Sequence, residues 1–74
     1  MKFKIGDYVK IKEIRVENYI IKPIICKIIK YDSAFGFLLE GLNDKLLRYS
    51  NNVYKDKETR IIEIKQKIKR LLDL

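Results

Sequence analysis

The stretch Phe3–Val16, FKIGDYVKIKEIRV, carries the pattern that decides the predicted fold. Gly6-Asp7 is a turn-forming pair, because glycine and aspartate both tolerate the backbone geometry of tight turns. After this turn Val9 and Ile11 alternate with lysines, which is the two-residue period of a strand with one buried face and one solvent face. We therefore predict the first strand of a small β-barrel here.

The apolar phase shifts after Lys12-Glu13, where two polar residues are consecutive, and a bulge or strong bend near Glu13 would explain the shift. Polar residues around Asn18 and the ring of Pro23 then predict a loop or a sheet edge. Three further strands are predicted from apolar, β-branched or aromatic runs bounded by turn residues, namely Ile24–Tyr31, Phe35–Glu40 and Lys45–Tyr49.

The last quarter of the chain allows two interpretations. Apolar residues at 61, 64, 68 and 71 have the three-and-four spacing of one amphipathic helix over Glu58–Leu72. Against this, Arg60–Ile64 is a β-branched run that suits a fifth strand, followed by a helix over Lys65–Asp73. We favour the second interpretation, which divides the chain into a barrel over residues 1–64 and a terminal helix over residues 65–74. The first interpretation stays open.

The composition indicates one small, basic domain. A chain of 74 residues is near the minimum size at which an apolar core supports folding alone. A content of 47% hydrophobic and 36% charged residues argues against both a disordered tail and a membrane protein. The net charge of +7 favours contact with polyanions such as nucleic acid or an anionic membrane surface.

Catalytic machinery is not predicted. The sequence has no histidine and one cysteine, Cys26, whose apolar neighbours predict a buried thiol and not a nucleophile. No phosphate-binding glycine motif or metal-ligand spacing occurs, so neither a cofactor nor a metal is expected. The N-terminus lacks the apolar core of a signal peptide, and Pro23 and two lysines interrupt the longest apolar run. We expect a non-enzymatic, cytoplasmic protein.

Two short segments carry a resemblance to known domains. Ile5–Ile11, IGDYVKI, resembles the opening of many KOW and Tudor modules, and Ser50–Tyr54, SNNVY, is similar to the helical turn before the last strand of SH3 domains. This resemblance implies a mainly β fold, an SH3-like small barrel of about five strands that acts as a binding module. The apolar spacing near the C-terminus adds an amphipathic helix to this barrel. The chain has no tryptophan, with which SH3 domains grip polyproline, so a polyproline ligand is not expected.

Basic and aromatic residues interleave along the predicted strands. Lysine and arginine contacts to phosphate supply affinity for nucleic acid, and exposed tyrosine rings can stack on unpaired bases. The predicted nucleic-acid-binding residues are Tyr8, Lys10, Lys12, Lys27, Lys30, Tyr31, Arg48 and Tyr49. The same lysines could instead form only the solvated faces of strands, with the tyrosines in the core or at its rim. Nucleic-acid or ribonucleoprotein contact is the first functional prediction.

A protein partner is the second functional prediction. The C-terminal helix carries more apolar residues than so small a core readily buries, and the predicted protein interface is Ile64, Ile68, Leu71 and Leu72. Such a surface would suit a partner protein or a homodimer. The chain could also be a small host- or defence-directed inhibitor encoded by a phage or another mobile element. Alternatively, the helix folds back and plugs an open end of the barrel. Membrane binding is not favoured, because the helix has no Trp or Phe to anchor it.

Overall fold

The computed structural model describes residues 3–12, 14–21 and 23–73, and this part of the chain contains seven strands and one helix. The strands are β1 (Tyr8–Ile11), β2 (Ile14–Val16), β3 (Tyr19–Ile21), β4 (Ile25–Asp32), β5 (Gly36–Gly41), β6 (Leu47–Ser50) and β7 (Val53–Tyr54). The helix, α1, spans Lys57–Leu72. The fold is mainly β with a C-terminal helix, as predicted.

Five strands form one antiparallel sheet in the order β6-β5-β4-β1-β7, while β2 and β3 form a separate hairpin. The edge strands β6 and β7 are joined by only two residues, Asn51 and Asn52. Three Cα–Cα steps reach at most about 11 Å, whereas the edges of a flat five-stranded sheet would lie about 19 Å apart. The sheet is therefore strongly curled. It is an open sheet in the described residues, since its order places β6 and β7 at opposite edges.

Side chains on the inner face of this curl form the core. Val9 of β1 pairs with Cys26 of β4, and the next inward-facing pair is Ile28 of β4 with Leu39 of β5. All four are essentially fully buried. The cluster is completed by Phe37 and Val53, with Phe3 and Ile11 packed against it. Because directly paired residues share a face, the two-residue period buries every second side chain, and each large one stabilises the fold by about 1.5–3 kcal/mol.

The strands predicted at Ile24–Tyr31, Phe35–Glu40 and Lys45–Tyr49 are confirmed as β4, β5 and β6, with ends shifted by one or two residues. The turn predicted at Gly6-Asp7 is also confirmed. Gly6 has a φ of 95°, which glycine adopts without the steric penalty that a side chain would impose.

The segment between β1 and β4 differs from its prediction. Where a loop or edge was expected, β2 and β3 pair in a hairpin that turns at Glu17-Asn18, with Glu17 at a φ of 54°. Glu13, the position of the predicted bulge, lies outside the described residues, but β1 ends shortly before it and β2 begins directly after it. The phase shift thus coincides with a change from one strand to the next. A register shift does occur in β4, between Ile28 and Lys30.

The strand predicted over Arg60–Ile64 is wrong, because these residues belong to α1 and the fifth strand is β7. The helix begins earlier than residue 65 because Asp56 and Thr59 form a capping box, in which each side chain accepts a hydrogen bond from the backbone N–H of the other. This start signal and the three-and-four apolar spacing outweigh the β-branched composition. The single-helix interpretation is confirmed, and the division at residue 64 falls inside the helix.

Candidate interaction surfaces

The helix α1 packs against β1 through its polar side. Thr59 is completely buried although it is polar. Its Oγ1 donates a hydrogen bond to the Asp56 carbonyl oxygen at 2.9 Å and accepts one from the Asp56 N–H at 2.9 Å. Because the hydroxyl keeps its partners, its burial carries only a small penalty.

Lys10 of β1 joins the sheet to the first turn of α1. Its Nζ lies 2.7 Å from Asp56 Oδ2 and 2.7 Å from Glu58 Oε2. Hydrogen bonds to Asp56 and Glu58 raise the pKa of Lys10, and Lys10 in turn lowers the pKa of Asp56. Both carboxylates lie at the N-terminal end of the helix, where the helix dipole interacts favourably with negative charge.

Glu63, one turn further along α1, makes the second connection. Its Oε1 accepts hydrogen bonds from the backbone N–H of Tyr8 at 3.0 Å and from Lys55 Nζ at 2.6 Å. Lys55 Nζ also lies 3.1 Å from Asp7 Oδ2. Burial opposes the charge of Lys55, but its hydrogen bonds to Glu63 and Asp7 outweigh this effect and raise its pKa. The polar seam, as we call it, consists of Lys10, Lys55, Asp56, Thr59 and Glu63.

The apolar residues of α1 lie mainly on the opposite side. Five of them form what we call the apolar stripe: Ile61, Ile64, Ile68, Leu71 and Leu72, which are 41%, 57%, 51%, 70% and 80% exposed. At about 100° per residue, these positions fall within an arc of about 100° whose centre lies about 170° from Thr59 and about 130° from Glu63. The stripe therefore points away from the sheet, and no element among the described residues covers it.

Basic side chains border the apolar stripe on both sides. Arg60 and Lys67 lie along one border and Lys65 along the other, and all three are exposed. The helix has six basic and two acidic residues, a net of four of the seven positive charges of the chain. Both acidic residues, Glu58 and Glu63, bond to lysines of the sheet side. The outer surface of α1 is thus an apolar strip between positive charges.

Three of the predicted nucleic-acid-binding residues are engaged inside the protein. Tyr8 is buried, and Lys10 belongs to the polar seam. Arg48 Nη2 lies 2.8 Å from Asp44 Oδ2, and its Nη1 lies 3.6 Å from Cys26 Sγ. The ion pair with Asp44 raises the pKa of Arg48 and lowers the pKa of the aspartate.

The other five residues of this prediction are divided between surfaces. Cross-strand pairing places Lys27, Lys30 and Tyr49 on the outer face of the sheet. Tyr31 lies on the inner face, where its ring packs on a core phenylalanine with ring centroids 5.1 Å apart. Lys12 is exposed just beyond the end of β1. The structure therefore does not bring the eight residues together.

The predicted protein interface is placed differently, because all four of its residues lie on one exposed surface, the apolar stripe. The alternative prediction, that this face of the helix plugs the barrel, is wrong: α1 turns its polar side to the sheet. Ile61 is the stripe residue that the prediction left out, although its spacing from Ile64 was a signal for it. The polar seam was also missed, since Lys55 and Glu63 meet β1 only through the tertiary fold.

A second exposed apolar group lies at β6 and the turns beside β5. It consists of Phe35, Leu46, Leu47 and Tyr49, which are 66%, 60%, 61% and 45% exposed. The rings of Phe35 and Tyr49 pack with centroids 5.5 Å apart. This group lacks the regular spacing of the stripe.

The charged side chains of one surface cleft already have ion-pair partners, and the cysteine thiol is buried. A cleft of about 270 Å³ lies between the start of α1 and the turn after β5, and its charged side chains Lys10, Asp44 and Glu58 are all in ion pairs. Burial raises the pKa of the Cys26 thiol, which is the buried thiol that was predicted. Within residues 3–12, 14–21 and 23–73, no cluster of three or more metal-ligating side chains occurs. In the same ranges no helix has the length and apolar character to cross a membrane.

The chain matches no protein-family model, no curated protein and no solved structure. Its function is therefore argued from its own geometry.

Proposed function

We propose that this chain is a non-catalytic protein-binding module, in which a curled, SH3-like sheet holds α1 by the polar seam and presents the apolar stripe to a partner protein. The observation that carries this proposal is the orientation of the helix. Its five stripe residues are 41% to 80% exposed and lie opposite the sheet. A contiguous apolar surface with a charged rim is typical of a protein-binding site.

The SH3-like part of the proposal is supported by the order of the strands. The last strand, β7, pairs with the first, β1, and the short β6–β7 link draws the two sheet edges together. This is the arrangement by which a small antiparallel sheet approaches barrel closure.

A non-catalytic role is supported by the state of the carboxylates. Asp56, the acid at the start of the helix, has a pKa lowered by Lys10. A general acid at neutral pH needs the opposite shift. Glu63, which reaches the sheet, is committed to Lys55 and the Tyr8 backbone.

Nucleic-acid contact is the second candidate function, favoured by two observations. Lys27, Lys30 and Tyr49 share the outer face of the sheet, and the basic residues of α1 are all exposed. It ranks second because phosphate contact gives no role to an exposed apolar stripe, whereas a protein partner uses both the stripe and its charged border.

The test compares three forms of the full chain: wild type, Ile64→Gln with Ile68→Gln, and the control Lys27→Gln with Lys30→Gln. Proteins retained from an extract of the source organism are identified, purified and titrated against each form. We expect the stripe variant to bind the partner at least about tenfold more weakly than wild type, which is a typical loss when residues that anchor an interface are changed. The sheet variant should bind as tightly as wild type.

Two results would contradict the protein-binding proposal. One is a purified partner that binds the stripe variant as tightly as wild type. The other is saturable, salt-dependent binding of short oligonucleotides that the sheet variant loses and the stripe variant keeps, which would establish the second candidate instead.

A further inference from the structure

The basic residues on both borders of the apolar stripe favour a partner with acidic residues at the facing positions. We propose that the occupant of the stripe is an amphipathic helix of another protein, with acidic residues on both sides of its apolar face. This inference rests on the proposed function and narrows it to one class of partner.

The spacing of the stripe favours a helix as the occupant. Ile61, Ile64, Ile68 and Leu71 follow the alternation of three and four residues that coiled coils use for their a and d positions. In that alternation Ile61 and Ile68 are a positions, while Ile64 and Leu71 are d positions. Two such repeats form a seam along most of α1, which is about 24 Å long.

The same assignment makes the border residues the e and g positions, which set partner choice in paired helices. Arg60 and Lys67 occupy g, and Lys65 occupies e. Glu58 also falls at e, but its carboxylate is paired with Lys10 of the sheet. A partner with glutamate or aspartate at the facing positions would place opposite charges within pairing distance. The net charge of +7 would also attract an acidic partner over longer range.

A second copy of this chain is disfavoured by the same charges. In a parallel pair of α1 helices, Arg60 of one copy faces Lys65 of the other. In an antiparallel pair the g positions face each other, so Arg60 and Lys67 meet their counterparts. Like charges are brought together in both orientations, and the carboxylate that falls at an e position, Glu58, is already paired with Lys10 of its own chain.

A lipid surface is disfavoured by the composition and width of the stripe. It consists of Ile and Leu, without the aromatic side chains that anchor many interfacial helices. Its arc of about 100° has the width of the apolar face that a helix packs against other protein elements.

The test uses two synthetic peptides of about three heptads, long enough to form helix on pairing, with Ile at a and Leu at d. One peptide has Glu at every e and g position and the other has Lys. Each is titrated against the full chain by calorimetry at about 50 and about 500 mM salt, a range over which exposed charge pairs become screened.

Two matched variants remove the same charge from the same helix. Lys65→Gln with Lys67→Gln removes one positive charge from each border of the stripe, whereas Lys69→Gln with Arg70→Gln removes two charges away from it. We expect the Glu peptide to bind wild type and the Lys69/Arg70 variant equally. The Lys65/Lys67 variant should bind it about tenfold more weakly, and high salt should weaken wild-type binding by a similar factor. The Lys peptide should not bind.

The outcomes separate this inference from the protein-binding proposal. If both peptides bind and Ile64→Gln with Ile68→Gln abolishes binding, the acidic partner is overturned while docking on the stripe stands. If neither peptide binds, the helical acidic partner is overturned, and the protein-binding proposal is decided by the purified-partner titration. A chain that light scattering shows to be a dimer, made monomeric by the stripe variant, establishes a second copy as the occupant. Stripe-dependent binding to phosphatidylglycerol vesicles, with no peptide binding, establishes a lipid surface.

Discussion

Two apolar surfaces of this protein are made of the same kinds of side chain, but one is buried and the other is exposed. Val9, Ile28 and Leu39 alternate along strands and are essentially fully buried inside the curled sheet. Ile64 and Ile68 recur at helical spacing and are more than half exposed. The difference lies in what each element turns toward its neighbour: the strands turn their apolar side inward, and α1 turns its polar side inward. An apolar pattern therefore shows which residues share one face of a helix or strand. Whether that face is buried depends on which side of the element contacts its neighbours.

The largest effect should follow from a cavity in the sheet core. Leu39→Ala removes a fully buried side chain that pairs with Ile28, and we expect a loss of about 2–5 kcal/mol in the free energy of unfolding. Leu47→Ala, on the neighbouring edge strand, is the control, since Leu47 is 61% exposed and should change stability by less than about 0.5 kcal/mol. Urea denaturation followed by circular dichroism measures both. Equal effects would remove the contrast between buried and exposed apolar surfaces.

A smaller effect is expected at the polar seam. Thr59→Ala removes a buried hydroxyl and leaves the Asp56 N–H without its partner, so we expect a loss of about 1–3 kcal/mol. Thr59→Ser keeps the hydroxyl and should recover part of this loss in the same urea experiment. A neutral Thr59→Ala would contradict a stabilising role for the buried capping bond between Thr59 and Asp56.

The seam should also make stability depend on acid. Lys10 lowers the folded-state pKa of Asp56, so the stabilisation is present above the unfolded pKa of about 3.9 and is lost as pH falls through the lower folded value. We expect the urea midpoint to fall as pH drops below about 4, and Lys10→Gln to make this fall shallower. The control is Lys65→Gln, which removes a lysine on the border of the stripe and should leave the dependence of the urea midpoint on pH as in wild type. Parallel profiles for wild type and Lys10→Gln would contradict the role of this ion pair.

The smallest effect should come from the stripe. Ile64→Gln with Ile68→Gln should change the free energy of unfolding by about 0.5 kcal/mol or less, because both side chains are exposed and glutamine is as good a helix former as isoleucine. Circular dichroism should show unchanged helix content. A loss comparable to that of Leu39→Ala would mean that the stripe belongs to the core of the protein and is not an exposed surface.

Several features of the fold could be predicted from local pattern alone. The Gly6-Asp7 turn and strands β4, β5 and β6 were predicted because turn residues and apolar runs act over a few neighbours. The hairpin of β2 and β3 and the short strand β7 were not, since two or three residues carry too little pattern to be distinguished from a loop. The single helix was open at this level because the three-and-four apolar spacing favours a helix while the β-branched isoleucines favour a strand.

The candidate site was predictable as a set of residues and not as a surface. The spacing of Ile64, Ile68 and Leu71 identified one face of a helix. The prediction that Lys10 and Arg48 share a nucleic-acid surface with the outer lysines is not supported, because both side chains form ion pairs with carboxylates. Lys10 pairs with the distant Asp56, and the pair of Arg48 with the nearby Asp44 has no recognisable sequence pattern.

The sequence by itself determined that this is a small, basic, mainly β chain with an amphipathic C-terminal helix, because composition and periodicity are local properties. The tertiary structure alone decided which side of the helix meets the sheet. That choice depends on Lys10 and Glu63, each of which bonds to a group about fifty residues away in the chain. These polar contacts fix the inner side of the helix on the sheet, and for this reason its apolar stripe remains exposed.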